Sequence, residues 1–468
     1  MAPLKSRHGD AKHPDSDDNS VRAYEAAPDL SNHEDAVFGG TNADGPNYRN
    51  VGWMAAAVLM MKAQVGLGVL SLPATFHTLG LIPGLIVLVV IAVLWTSYEM
   101  GKFKHRHPEV YSIADVGQVV LGKPGRYICA GVYWLWMTTV AGSALLSISI
   151  AFNAMSLHGT CTAVFVAVAT IIVFLLASIQ TLDKVAWITW AGALSLVVSL
   201  FLVTIAVGVT DRPAAAPATG PFDKDFRITS APTFAAAMSA VSQLSFAYAG
   251  TPAYLSIMSE MKDSRLYTRS LLLCNGFTTV LYIVVGTVVY YYCGQYVASP
   301  ALGSAGPLIK RIAYGLGLPA LIVSGILYTH VPAKWIFLSA LKGTKDLNNN
   351  TPKHWIVWFS CVAGCVLFSY VIASAIPVFS GLVGLVGALF GTFLCTIVTS
   401  SLWFYDNWGK SDGSLSRKLI FGLNCAIFVL GWFVTVAGTY GSIEDIVIGY
   451  AANGGTRPWA CDDNSNST

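Results

Sequence analysis

Charge is the scarcest ingredient of this 468-residue chain: Asp, Glu, Lys and Arg make up 11% of it, against roughly 25% in an average soluble protein. Residues 127–182, 270–309 and 354–405 contain none of the four. Uncharged runs of that length exclude a water-facing surface, and the 54% hydrophobic share points to a polytopic helical membrane protein. A G-x-x-x-x-G-K-S/T phosphate loop is missing too, which argues against direct coupling to ATP. The nine histidines are scattered, several of them in the first fifty residues, so neither a metal site nor the face-clustered ligands of a membrane enzyme are expected. No cofactor and no nucleic-acid partner is expected; the surrounding partner is a lipid bilayer. The chain also lacks a basic start followed by an apolar run and a cleavage site, so removal of a signal peptide is not expected.

Residues 1–50 carry nine acidic and five basic side chains and few large apolar ones, a composition that reads as a disordered cytoplasmic tail. Beyond it, apolar stretches of about 20 residues, enough to cross the hydrocarbon core, recur along the chain. They give eleven spans: 51–75, 80–101, 126–156, 160–180, 185–210, 233–258, 268–292, 316–341, 354–376, 377–404 and 417–440. With the N-terminus in the cytosol, sixteen Lys and Arg fall on cytoplasmic connections and six on the opposite side, as the positive-inside rule requires. The odd number of spans puts residues 441–468 outside as an extracellular tail. Cys161, Cys293 and Cys461 then lie at or beyond outer span ends. A Cys161–Cys461 disulfide is the preferred pairing, since Cys293 follows three tyrosines at the interface; three free thiols are the alternative.

The first span, VGWMAAAVLMMKAQVGLGVLSLPATF, holds Lys62 and then breaks up into Gln64, Gly66, Gly68 and Pro73. A charge at mid-membrane costs about 2.5–3.5 kcal/mol, and a helix interrupted at that depth survives only around a protein-enclosed cavity. The sixth span is interrupted in the same way by Gln243, Ser245, Gly250, Thr251 and Pro252. Five spans separate the two breaks. Because five is odd, the second five-helix unit must run inverted relative to the first. Repeat one is then 51–210, repeat two 233–404, and 417–440 is an extra helix outside the repeat, all within a transmembrane domain of 51–440. Paired interrupted helices in inverted halves are a pointer to a midplane substrate site of a secondary transporter. Half-helix N-termini offer N–H groups to a carboxylate, and half-helix C-termini offer carbonyls to an ammonium group. Phe246 and Tyr248 would line a pocket for an apolar side chain. Gly66 and Gly68 admit a second use, close helix packing.

The stretches GLGVLSLPATFHTLGLIPG (66–84), HPEVYSIADVGQVVLGKPG (107–125), FAYAGTPAYLSIMSEMKDS (246–264) and SPALGSAGPLIKRIAYGLGLP (299–319) resemble the amino acid/auxin permease family. Within it they are most similar to neutral and aromatic amino acid permeases of filamentous fungi, of the methyltryptophan-resistance, N-system type. The resemblance implies the leucine-transporter fold, with helices 1 and 6 broken, and proton-coupled symport of neutral amino acids at the plasma membrane. It also implies a substrate carboxylate near Gly66, Leu67 and Gly68, and an ammonium group facing carbonyls around Ser245, Phe246 and Ala247. A vacuolar carrier of the same family, or a sensor that binds amino acids without appreciable transport, are the alternatives.

Titratable groups inside the spans are few. Lys62 is the candidate for proton coupling, or for replacing a bound sodium ion; snorkelling to the cytosolic interface is the other reading. His330 and Lys334, one turn apart beside Pro332, form a candidate gate or an ordinary interfacial pair. Ser143, Ser324 and Tyr328 are within reach of a central cavity in a five-plus-five bundle, although serines in spans more often bond neighbouring helices. Glu99 and Glu260 are expected to pair with basic loop residues, and Asp115 to be structural in the loop before the third span.

Overall fold

The computed structural model describes residues 51–468 apart from 92–93, 180–181, 218, 342–345, 347–350, 410–413, 453–457 and 466–468. The expected disordered tail of residues 1–50 lies outside the described residues. Pro73 and the glycines around it set the first interruption. Helix α1 (Trp53–Gln64) ends where Val65 turns extended and Gly66 leaves helical geometry; a 3-10 turn over Leu67–Ser71 then leads into α2 (Leu72–Leu79), with a bend of 46°. There follow α3 (Leu81–Ile91), α4 (Leu94–Arg106), α5 (Ile113–Ser156), α6 (Thr162–Ala177) and α7 (Leu182–Val209). The second interruption separates α8 (Phe234–Ala247) from α9 (Tyr254–Ser259), with Pro252 in a short 3-10 turn between them. The remaining helices are α10 (Tyr267–Cys293), α11 (Pro307–Leu341), α12 (Pro352–Ala375), α13 (Phe379–Val386), α14 (Val398–Asn407) and α15 (Leu415–Ala452). Two π-helical turns, Gly387–Gly391 and Phe393–Ile397, join α13 to α14.

All regular structure among the described residues is helical. Among the described residues eight helical stretches are long and apolar enough to cross a membrane, or nine if the bent pair α1–α2 counts as one span. Of the expected spans, 160–180 is occupied by the shorter helix α6 and 233–258 by the pair α8–α9.

Main-chain bonds show that the two interrupted spans run in opposite directions. At one face Val51 N–H donates to the Glu260 carbonyl (3.1 Å) and Lys262 N–H to the Val51 carbonyl (2.9 Å), so the start of α1 lies beside the end of α9. At the other face Leu81 N–H donates to Arg227 (3.1 Å) and Ser230 N–H to Leu79 (3.3 Å), so the end of α2 lies beside the approach to α8. One broken span therefore leaves where the other enters.

Burial ranks the spans: the most apolar window of α5 is 89% buried and that of α15 only 11%, which puts α5 at the centre and α15 at the lipid-facing edge. Two boundaries differ from the sequence reading. The segment holding Asp115 is the first turn of α5, not a loop. Its carboxylate accepts from the Ser112 N–H (2.9 Å) in a capping box, and the helix bends at Gly122, whose φ is 69°. The last helix runs to Ala452 rather than stopping at 440, which places Glu444 and Asp445 on it. Glu99 pairs with Lys102 at 2.9 Å. Glu260 instead accepts from the Tyr111 hydroxyl at 3.3 Å; burial, then the Glu260 charge, push that phenol up to about 12.

A disulfide joins Cys161 to Cys461 across 300 residues of sequence. The tail it tethers is packed: Asn153 Nδ2 donates to Asn464 Oδ1 at 2.7 Å, and Trp459 N–H donates to the Ser374 carbonyl at 3.2 Å. Cys293 is buried against the Ser304 carbonyl. Closing so long a loop contributes up to about 5 kcal/mol in the chain-entropy account. Reduction, or Cys461→Ser, is therefore expected to lower the midpoint of thermal unfolding in detergent by several degrees, while Cys293→Ser lowers it less.

Candidate functional site

The two breaks meet backbone to backbone. A Cβ on Gly68 would sit 2.5 Å from Ala247 Cα, and one on Gly250 would sit 2.9 Å from the Ala63 carbonyl oxygen. Both glycines are needed for this approach. Gly66 is different: a Cβ there meets nothing within 4 Å, because the residue borders open space. The two uses considered for the first-span glycines therefore divide between them, packing at Gly68 and cavity at Gly66.

The carbonyls exposed by the second break are already engaged. Ser245 O accepts from Tyr248 N–H (3.2 Å) and Phe246 O from Ala249 N–H (3.0 Å). Ala247 O accepts from the Tyr282 hydroxyl at 2.9 Å, and the same hydroxyl reaches Gln64 O at 2.9 Å. Tyr282, fully buried on α10, thus shares its single proton between the last carbonyls of α1 and α8, one from each break. Sequence reasoning missed it. The available signal was a tyrosine alone in an otherwise apolar stretch, TVLYIVVG. Gln64 is held from the same side: Tyr254 donates its hydroxyl proton to Gln64 Oε1, and Gln64 Nε2 donates to Asn275 Oδ1 at 3.3 Å.

On the open side of Gly66 lies a cavity of about 220 Å³. Its polar lining comes from Lys62, Gly66 and Gly250 at the breaks and from Ser324 and Tyr328 on α11; Trp136, Met137 and Leu59 are among its apolar walls. Ser324 Oγ bonds back to the Ala320 carbonyl at 2.9 Å. Trp136 meets Tyr328 edge to face at 5.9 Å. The 3-10 turn after Gly66 begins with N–H groups that have no acceptor within the turn, the pole a carboxylate requires. Lys62 is half-buried in this wall, with no hydrogen bond or ion pair among the described residues. No Asp or Glu lines the cavity.

The other residues singled out from the sequence are distributed around this centre. Leu67, Phe246 and Ala247 are buried, Ala247 against Gly68 of the first break and Phe246 beside Gly387 of the π-helical turn. Ser245 and Tyr248 face a second hollow, about 500 Å³, between α3, α8, the π-helical turns and α15. Ser143 is fully buried in α5, where it donates to the Thr139 carbonyl at 3.2 Å. His330 is fully buried, bonded through Nδ1 to the Ala177 carbonyl (3.0 Å) and packed edge to face on Trp358. With Trp358 Nε1 donating to Ser178 O at 2.8 Å, it satisfies the free carbonyls at the end of α6. Lys334 is half-buried on the next turn of α11.

Two antiparallel interrupted helices with a cavity at their breaks are the arrangement of a membrane transporter. The sequence carries the identification further. The family described as transmembrane amino acid transporter protein matches residues 49–444, and the chain belongs to it. A "Transmembrane transporter" of Gibberella moniliformis is 32% identical over 426 residues, covering 91% of this chain and 90% of that protein. The "N amino acid transport system protein" of Neurospora crassa is 32% identical over 425 residues, covering 88% and 89%. Among solved structures, MHP1, a nucleobase-cation-symport-1 family transporter, superposes with a TM-score of 0.51 at 12% identity, covering 91% of this chain and 98% of its own. That likeness gives the fold, the leucine-transporter type that the sequence motifs imply. The protein is a multi-pass amino acid transporter.

Proposed function

We propose that the chain is a plasma-membrane symporter that imports neutral amino acids, aromatic and large aliphatic ones, together with protons. In this reading the N-terminal tail is cytosolic and the chain crosses eleven times, so that residues beyond α15 lie outside the cell. The observation that carries the substrate class is the cavity at Gly66. Its walls are largely apolar and aromatic, it contains no carboxylate to receive a cationic side chain, and Gly66, which precedes the 3-10 turn of the first break, borders it. A zwitterion with an apolar side chain meets each of these features. The relative named as an N amino acid transport system protein supports the same reading.

Lys62 supports the choice of ion. A fixed cation beside the break supplies positive charge where a sodium ion would otherwise be needed, and an ammonium in a membrane cavity can exchange its proton with water. The deciding experiment is uptake of labelled phenylalanine and leucine into a permease-deficient host, with and without a protonophore. Accumulation that collapses with the protonophore is the expected result. Accumulation that survives it, or binding without uptake, would sink the symport reading. Lys62→Met is expected to abolish concentrative uptake while leaving amino acid exchange measurable; a snorkelling lysine would leave both. Fluorescence localisation separates the plasma membrane from the vacuolar membrane.

A further inference from the structure

The helix at the lipid-facing edge carries a carboxylate on the side that faces protein. Asp445 of α15 accepts from Ser239 Oγ of α8 at 3.3 Å, and the Ser380 hydroxyl of α13 bonds to the same carboxyl group. Among the described residues no cation answers it. Neither α8 (FAAAMSAVSQLSFA) nor α13 (FSGLVGLV) has a titratable side chain. On α15 itself Glu444 is bonded to Tyr440, and Tyr450 donates to the Ala375 carbonyl. An ionisable group on a spanning helix without a counter-charge is expensive and marks a functional site by default.

Polar atoms continue inward from it. Gln243 Nε2 donates to Ser239 Oγ at 3.3 Å, and Gln243 Oε1 has no partner although the residue is only 5% exposed. The Ser442 hydroxyl, fully buried, also lacks one. A Cβ on Gly384 would lie 2.7 Å from Ser442 Oγ and 3.3 Å from Ser239 Oγ, so both hydroxyls converge on one glycine-lined point between α8, α13 and α15. Gln243 stands one turn before Ala247, the end of α8 at the break. A carboxylate with spare buried donors and acceptors, tied to the half-helix that forms the site, is placed to change that helix when its charge changes.

We propose that Asp445, with Ser239, Ser380 and Gln243, is a proton-binding site that controls the α8 half-helix from the face where α8 begins. As the ion, Asp445 accepts from both serines and holds α15 to α8 and α13. When water on that face delivers one proton to a carboxylate oxygen, the bonds from the serines lose their charge assistance and weaken. The tie to α8 loosens, and the half-helix is freed to tilt. This inference rests on the amino acid transport reading but not on which ion drives it.

The test is exchange of labelled for unlabelled phenylalanine in vesicles containing the intact protein, with equal pH on both sides, so that no proton gradient acts. Wild type is expected to exchange faster as pH falls, by about tenfold across the titration of a single carboxyl group. Asp445→Asn is expected to run at the fast rate at every pH, and Asp445→Glu to keep the dependence. A wild-type profile preserved in Asp445→Asn, or a flat wild-type profile, overturns the proposal and leaves transport itself standing. Wild type that exchanges neither phenylalanine nor leucine sinks the transport reading and this inference together. If Asp445→Asn fails to reach the membrane, Ser239→Ala carries the test. A shifted midpoint of the pH profile supports the site, and an unmoved one overturns it.

Discussion

Replacing Gly66 with leucine is expected to reduce amino acid uptake by more than about tenfold, ~1.4 kcal/mol in apparent affinity or more, without unfolding the protein. The expectation follows from space. Apart from Gly66 and its chain neighbours no atom lies within 4 Å of the position a Cβ would take there, so an added side chain projects into the cavity that Gly66 lines. Gly68→Leu is the contrasting variant. Its Cβ would fall 2.5 Å from Ala247 Cα, against main chain that cannot move aside, so uptake and thermal stability should be lost together. Uptake and detergent unfolding measured in parallel check both variants. A Gly66→Leu protein that still transports would show that the substrate lies elsewhere.

The second large effect is expected at Tyr282. Tyr282→Phe keeps the ring and its edge-to-face contact with Tyr248 at 5.3 Å, and removes only the hydroxyl shared by Gln64 O and Ala247 O. Two buried carbonyls at the ends of two half-helices then lose their donor, at a cost of about 1–3 kcal/mol for each group left unsatisfied. Because both belong to the breaks, that cost falls on the geometry of the site. Unfolding temperature should drop by several degrees and uptake by about tenfold, which is 1.4 kcal/mol of site distortion. Thr279→Val removes a hydroxyl bonded to that of Tyr248 at 3.0 Å but leaves the Gln64 and Ala247 carbonyls their shared donor, and should change uptake much less. Equal uptake by Tyr282→Phe and wild type would show that the tie is incidental.

The interruptions were legible because glycine, proline and glutamine have no business in a lipid-embedded helix, and their spacing alone gave the inverted arrangement. What they face was not. Gly66 and Gly68 look alike in the sequence, yet one borders a cavity and the other abuts main chain, a difference decided by α8 from 180 residues away. Ser245 and Tyr248 were named with the breaks, but a helix end projects side chains all round, and theirs turn to the hollow beside α15. The pattern of His330 and Lys334 reads as a gate on one helix face; only the end of α6, with its unpaired carbonyls, supplies the partner that holds His330. Tyr282 and Asp445 were passed over for opposite reasons. The tyrosine sits in an unbroken apolar span that drew no notice, and the aspartate sits past residue 440, where the falling hydropathy reads as the start of a tail although the helix persists to Ala452.

Main-chain lacing at the two faces constrains how such a molecule can change shape. Val51 and Lys262 bind the near ends of α1 and α9 into one lever, and Leu79, Leu81, Arg227 and Ser230 bind α2 to the approach to α8 in another. Neither half-rod can swing without its mate. The flexing is left to Val65 and Gly66 in one strand of the mechanism and to Tyr248–Gly250 in the other, so that a disulfide engineered across either laced end should be silent, while one spanning both sides of a break should freeze the carrier.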